Sequence, residues 1–289
     1  MAIFFYVLLV FSSVMQSAAI KFFDKKNTEE NSTVFNFIRV LSALLLFVCY
    51  TVVTEKIKFH IPTLIYGVIY GVSLSISMYF GYRALNVGPL ALTGMLVSFS
   101  IIIPITWGVI VRSENLNLIK LVALLFLAVS MVTVNADKLK SGAKKQDNYL
   151  KWLFFVLFTF ISNGICSIVQ LEYANTYTSV LNGEFMVYEM LTCTVIFAIF
   201  LITKTTPAKF KKVNGKGYAI LSGIANAVAN FLTLILAGME SSTILFPIIS
   251  AGTILTSLMF GRIVFKEKLK ANHIFALVFG LIAIMLLKI

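Results

Sequence analysis

Arg39 and Glu189 are the two side chains whose placement most invites chemistry. Each lies about two turns inside a long apolar stretch, Thr33–Val53 for the arginine and Val180–Thr203 for the glutamate. A charge at that depth in a bilayer is costly. It is kept where it faces a bundle interior or a wet cavity, pairs with an opposite charge, or marks a substrate or ion path. An Arg and a Glu brought towards one cavity could hold the two ends of a zwitterion, and Glu189 alone could hold a cation. The structural alternatives are a salt bridge between them, or Arg39 reaching the headgroups along its apolar stem.

Uncharged polar residues add to this by their spacing. Ser222, Asn226, Asn230 and Thr233 follow one another at intervals that put them on one face of a helix, as do Asn163, Ser167 and Gln170. Ser12, Ser13 and Gln16 give a shorter run in the first stretch. Such faces line a cavity or join helices by hydrogen bonds, and both readings stay open. The candidate substrate-binding set is Gln16, Arg39, Tyr79, Asn163, Gln170, Glu189, Asn226 and Asn230. Tyr66, Tyr70, Tyr79 and Trp107 lie on stretches that carry polar residues, and their rings could hold a quaternary ammonium by cation–π attraction. Packing is the commoner use of such rings. Glu172, Glu184 and Glu240 lie near stretch ends and read as interfacial.

No catalytic apparatus is expected. The stretches hold no Asp and no central His, which argues against aspartyl and zinc protease chemistry. Cys49, Cys166 and Cys193 are scattered through apolar sequence, and His60 and His273 have no second ligand at metal spacing. Neither a phosphate-binding loop of the Walker type nor a dinucleotide fingerprint is present. The expectation is a protein that is not an enzyme and uses no cofactor or metal.

The elements that must position these residues are written into the composition. Of 289 residues, 59% are hydrophobic and 12% charged, about half the charged share of a soluble chain. Ten apolar stretches, each long enough for a bilayer, follow in order: Ala2–Ile20, Thr33–Val53, Pro62–Ala84, Pro89–Val111, Leu118–Asn135, Leu150–Ala174, Val180–Thr203, Gly217–Ala237, Thr243–Phe265 and Ala271–Leu287. They lack the alternation of barrel strands. The fold expected is all-α integral membrane. The net charge of +12 does not mark a nucleic-acid binder, because the lysines lie in short loops where the membrane surface is their partner. The first stretch has no basic residue ahead of it and is not read as a cleaved signal.

The chain also repeats itself. At an offset of 153 positions, Trp107-Gly108-Val109-Ile110-Val111 meets Phe260-Gly261-Arg262-Ile263-Val264, Glu114 meets Glu267, and Leu116 meets Leu269. Asn226 and Asn230 fall on Ser73 and Ser77 at the same offset. The lysine-rich linker divides the chain into a first five-helix repeat (residues 1–136), a polar segment (137–149) and a second five-helix repeat (150–289). Odd-numbered halves insert oppositely, which gives two inverted repeats around a central cavity. Of the loop Lys and Arg residues, 18 fall on one face and 5 on the other, which points to cytoplasmic odd-numbered loops and external termini. Gly67 and Gly71 form a small-xxx-small pair, and Pro104 and Pro247 are candidate kinks.

Taken together, the two five-helix repeats, the Gly88-Pro89 pair opening the fourth stretch, Glu114 and Glu267 just beyond the fourth and ninth, and the arginine within Phe37-Ile38-Arg39-Val40-Leu41 resemble the drug/metabolite transporter superfamily. The resemblance is to its EamA-like ten-helix branch, over essentially the whole chain. It implies a basket of ten helices around a central cavity, and substrates among amino acids, sugars, nucleotide derivatives, quaternary amines and other small metabolites. Two features depart from the pattern. Many members keep both termini in the cytoplasm, against the lysine count here. The related four-helix exporters carry a membrane glutamate in their first span, whereas this chain has Gln16 at that depth and Gln170 in the sixth stretch. Glutamine exchanges no proton.

The function expected is a secondary transporter of a small polar or zwitterionic metabolite, such as an amino acid, working by alternating access in the plasma membrane. The alternatives are a quaternary-amine or lipophilic-cation carrier and a non-transporting scaffold or regulatory subunit. Its partners would be the small-molecule substrate and the bilayer. A monomer suffices, and a dimer is possible.

Overall fold

The computed structural model describes residues 2–24, 32–54, 59–87, 93, 96–141, 149–177, 182–204, 210, 213–264 and 271–287. Ten α-helices have described bounds: α1 (Ala2–Asp24), α2 (Ser32–Thr54), α3 (Ile61–Val87), α4 (Ile102–Val111), α5 (Leu118–Ser141), α6 (Tyr149–Thr176), α7 (Asn182–Lys204), α8 (Lys216–Ala237), α9 (Ser242–Val264) and α10 (Ala271–Leu287). No strand occurs among the described residues. The linker from 142 to 148, the Gly88-Pro89 pair and Glu267 lie outside them.

Seven helices, α1, α2, α3, α6, α7, α8 and α9, are long and apolar enough to cross a membrane, and the chain is a multi-pass helical membrane protein. The fourth, fifth and tenth stretches give shorter apolar helical segments, Leu96–Val111, Leu118–Thr133 and Ala271–Leu287. With no water to bond the backbone, a chain this apolar must satisfy its own amides, and only helices do so segment by segment. Their surfaces stay apolar outwards: Val53, Ile110, Leu150 and Ile202 are each more than 70% exposed.

Local signals set the helix ends. Gly215, at a φ of 81°, turns the chain into α8 through the left-handed region that glycine enters freely. A 3₁₀ turn (Phe99–Ile101) leads into α4, and Pro104 falls in that helix's first turn, where a missing amide hydrogen costs little. Pro247 instead lies inside α9.

The chain forms two compact units, each drawing on both halves of the sequence. The first comprises residues 1–78 and 169–238, the second 79–168 and 239–289. Within the first unit α1 packs on α8, and α2 packs on both α7 and α8. Its cores are Phe23, Val34, Phe35, Val213 and Ala219 at one end of these helices, and Val40, Cys193 and Phe197 between α2 and α7. Glycine allows the closest approaches. A Cβ on Gly223 would strike the Arg39 carbonyl and the Ser42 hydroxyl, so α8 lies directly on the α2 backbone at the level of Arg39. Within the second unit α5 packs on α10, and α9 packs on α4, α5 and α10, around Leu127, Met131, Ala251 and Ala283.

Candidate functional site

Six of the eight candidate residues fall in the first unit: Gln16 on α1, Arg39 on α2, Gln170 on the end of α6, Glu189 on α7, and Asn226 and Asn230 on α8. Tyr79 and Asn163 belong to the second. The Arg83 guanidinium lies 4.5 Å above the Tyr79 ring, one turn along the same helix. Asn163 accepts the Ser167 hydroxyl on its backbone oxygen at 3.2 Å.

Three of the six meet on one atom. The Asn226 side-chain oxygen Oδ1 accepts Gln16 Nε2 at 2.9 Å and an Arg39 terminal guanidinium nitrogen at 3.0 Å. Arg39 and Asn226 are 7% and 5% exposed, so a charged group on one helix is tied to an amide on another within an apolar bundle. The contact follows from the Gly223 crossing, because Gly223 and Asn226 are about one turn apart on the face of α8 that meets α2.

The cluster is not saturated. Among the described residues, Arg39 Nε, Asn226 Nδ2, Asn230 Nδ2 and Ser222 Oγ are buried without a hydrogen-bond partner. All four can donate. Ser222, Asn226 and Asn230 follow one another down α8 at four-residue intervals, the polar face expected from the sequence. Thr233, at the end of that face, is satisfied within its own helix, donating to Ala229 O at 2.8 Å. Gln170 Nε2 reaches Asn230 O at a long 3.4 Å. Native interiors leave few buried polar groups unpaired, and each that remains calls for a reason. Arg39 Nε and Asn226 Nδ2 are donors that a group rich in lone pairs, such as a carboxylate, could bond.

Glu189 is set differently. It is 0% exposed, and neither of its carboxyl oxygens has a hydrogen-bond partner among the described residues. The direct Arg39–Glu189 bridge, one structural alternative raised by the sequence, is therefore not made. One turn further along α7, Cys193 Sγ donates to Gly71 O at 3.3 Å. This thiol lies within electrostatic reach of both Arg39 and Glu189, and a lone cysteine in an apolar stretch gave no signal of that position.

Glu184, near the start of α7, is buried within the protein. Its Oε1 accepts the His60 backbone amide at 2.8 Å and the Tyr188 hydroxyl at 2.7 Å, which ties the start of α3 to α7. Around it Tyr66, Tyr70, Tyr173, Tyr177 and Phe185 pack on one another, with Tyr173 stacked on Phe185 at 4.3 Å. These rings pack against one another's faces and edges. In the second unit Glu114 has the matching duty. Its oxygens accept the amides of Ser242 and Thr243 at 2.9 and 3.0 Å and the Ser242 hydroxyl at 2.7 Å, closing the first turn of α9.

An apolar groove of about 380 Å³ between α2 and α8 is lined by Ile38, Leu41, Leu45, Leu46, Ile220 and Ile224. Its one polar lining residue, Ser42, spends its hydroxyl on Arg39 O at 2.9 Å. It is a surface for hydrocarbon, not for a polar ligand.

No family model and no curated protein sequence matches this chain. Its fold is similar to that of a protein solved by crystallography, with a TM-score of 0.77 across 99% of this chain and 95% of that one, at 12% identity. The similarity is one of fold.

Proposed function

We propose that the chain is a secondary transporter of the drug/metabolite transporter type, which moves a small polar or zwitterionic metabolite bearing a carboxylate, such as an amino acid, across the cell membrane. The observation that carries this reading is the arrangement at Asn226. Its oxygen is held by Gln16 and Arg39, and this leaves Asn226 Nδ2 and Arg39 Nε as buried donors without acceptors. A substrate carboxylate would complete both. Asn230, Ser222 and Gln170 would hold further polar groups along α8.

The architecture proposed is ten spans in two inverted five-helix repeats. It is supported by the 153-residue sequence offset and by packing between corresponding helices of the halves, α2 with α7 and α5 with α10. Such repeats can rock about a shared site and so expose it to each side in turn. Membership of the EamA-like branch is proposed on the sequence motifs. The quaternary-amine reading is the weaker one, because Arg83 already covers the Tyr79 ring and the tyrosines of the first unit pack on one another.

A thermal-shift screen of the detergent-purified protein against amino acids, sugars, nucleotides and choline-like amines tests this reading. A ligand that binds only the folded state raises the melting temperature with its concentration. Amino acids are expected to stabilise the wild type and to lose that effect in Arg39→Gln. Stabilisation by choline-like amines alone, or equal stabilisation of both proteins by amino acids, would contradict it.

A further inference from the structure

We propose that the groove between α2 and α8 is a lipid site: it takes one acyl chain of an anionic phospholipid, whose phosphate rests on Lys216. The proposal stands apart from the transport reading and needs only that these helices cross a membrane.

The first ground is the shape of the groove. Its walls are Ile38, Leu41, Leu45 and Leu46 on α2 and Ile220 and Ile224 on α8. Leu45, Ile220 and Ile224 are each more than 40% exposed, so the walls are open to the outside. The Gly223 crossing, where α8 meets the Arg39 carbonyl, brings the two helices together beneath them. Tyr50 and Phe231 meet further along the same two helices, with ring centroids 5.1 Å apart. Phe231 is about two turns beyond Ile224 and Tyr50 about one turn beyond Leu46, so this pair stands in line with the walls and closes their far end. From Ile220 to Phe231 the helix rises about 16 Å, and half of a bilayer's hydrocarbon core is about 15 Å. The groove has the depth of one leaflet.

The second ground is the charge at its near end. That end lies towards the core of Phe23, Val34, Phe35, Val213 and Ala219, where α1 stops and α2 and α8 start. Lys216, Ile220 and Ile224 follow one another on α8 at four-residue intervals, so Lys216 stands on the groove's side of the helix, one turn before Ile220. Its Nζ lies 4.9 Å from the centre of the Phe210 ring. The ring covers one side of the ammonium and leaves N–H donors for an anion. In the sequence, the run from Lys204 to Lys216 holds Lys204, Lys209, Lys211, Lys212 and Lys216 and no acidic residue. Basic runs beside a membrane helix draw anionic headgroups.

Walls and charge together select this occupant. A polar metabolite finds no partner in the groove, because Ser42 is its one polar lining residue and spends its hydroxyl on Arg39 O at 2.9 Å. A helix of a second copy, about 10 Å across with its side chains, is too broad for a groove of about 380 Å³, whereas a single hydrocarbon chain can lie along it. A zwitterionic phospholipid fits the walls equally well but brings a cation of its own to the lysines. An anionic one brings none. On the opposite side of α8, Ser222 and Asn226 are buried, so one helix gives its polar face to the protein interior and its apolar face to the lipid.

Native mass spectrometry and melting curves of the full-length, delipidated protein in detergent test the proposal, with dioleoyl phosphatidylglycerol and dioleoyl phosphatidylcholine as the two probes. The wild type should retain one phosphatidylglycerol per chain, several-fold in preference to phosphatidylcholine, and its melting temperature should rise with phosphatidylglycerol concentration. Lys216→Gln should bind the two lipids alike. Ile224→Trp fills the groove from its exposed wall and should melt like the wild type without lipid, yet lose the retained lipid and the stabilisation by it. Leu45→Trp, on the facing helix, should do the same and serves if Ile224→Trp fails to fold. The proposal is overturned if the wild type shows no preference for phosphatidylglycerol, if the preference is undiminished in Lys216→Gln, or if both folded tryptophan variants retain the lipid as the wild type does. A wild-type dimer that the tryptophan variants dissociate would give the groove to a second copy and overturn it as well.

Discussion

Arg39 donates to Asn226 Oδ1 at 3.0 Å, so a buried guanidinium is anchored by a neutral amide and not by a carboxylate. The positive charge is oriented, and no carboxylate among the described residues bonds to it. The arrangement suits the proposed anion site, since an internal carboxylate on Arg39 would compete with a bound anion.

The anchor can be tested at Asn226 itself. Asn226→Ala removes the acceptor of both Gln16 and Arg39 and strands their donors, at a cost of about 1–3 kcal/mol, seen as a lower melting temperature. Asn226→Asp keeps both bonds and adds a charge beside Arg39. It should melt no lower than the wild type, yet lose amino-acid stabilisation, because the new carboxylate occupies the place proposed for the substrate. Retained ligand stabilisation in Asn226→Asp would show that the anion binds elsewhere.

Two glycines of α8 make a matched pair. A Cβ at Gly223 would meet Arg39 O and Ser42 Oγ, whereas one at Gly217 meets nothing within 4 Å. Gly223→Ala should destabilise by about 1–3 kcal/mol through forced separation of α2 and α8. It should also weaken ligand binding, because Asn226 moves with the helix. Gly217→Ala should be neutral or stabilise by up to about 1 kcal/mol. Melting curves of the two variants side by side check both.

Glu114 should matter for stability and not for recognition. Glu114→Ala frees two amides and a hydroxyl at the start of α9 and is expected to cost about 1–2 kcal/mol, the usual scale for a lost helix cap. The ligand profile of the folded variant should match the wild type. A changed profile would give Glu114 a part in binding that its present bonds do not suggest.

Much of this was legible from residue types and spacing. The face of Ser222, Asn226 and Asn230 could be read from its four-residue period, and the Gly67–Gly71 pair from the close packing such pairs permit. Helix content and multi-pass character follow from hydropathy. What spacing could not supply was partnership. Arg39 and Glu189 invited a salt bridge because they occupy similar depths in corresponding stretches, yet the crossing at Gly223 brings Asn226 to Arg39 first. Tyr79 was kept for its ring, and Arg83, four residues on along the same helix, lies across it. Glu184 was read by its distance from the middle of its stretch, which could not show that the His60 amide reaches it from the start of α3. The Arg39 outcome depends on which side chain of a distant helix arrives first, and no local pattern encodes that.

The decisive measurement is uptake of a labelled amino-acid mixture into proteoliposomes by the wild type and by Arg39→Gln. The glutamine keeps an amide donor for Asn226 but removes the charge, and equal amounts of folded protein are verified in the two preparations. The prediction is that the wild type accumulates label and Arg39→Gln falls to the level of protein-free vesicles. Uptake by Arg39→Gln at the wild-type rate would contradict the proposal that Arg39 and Asn226 hold the substrate carboxylate.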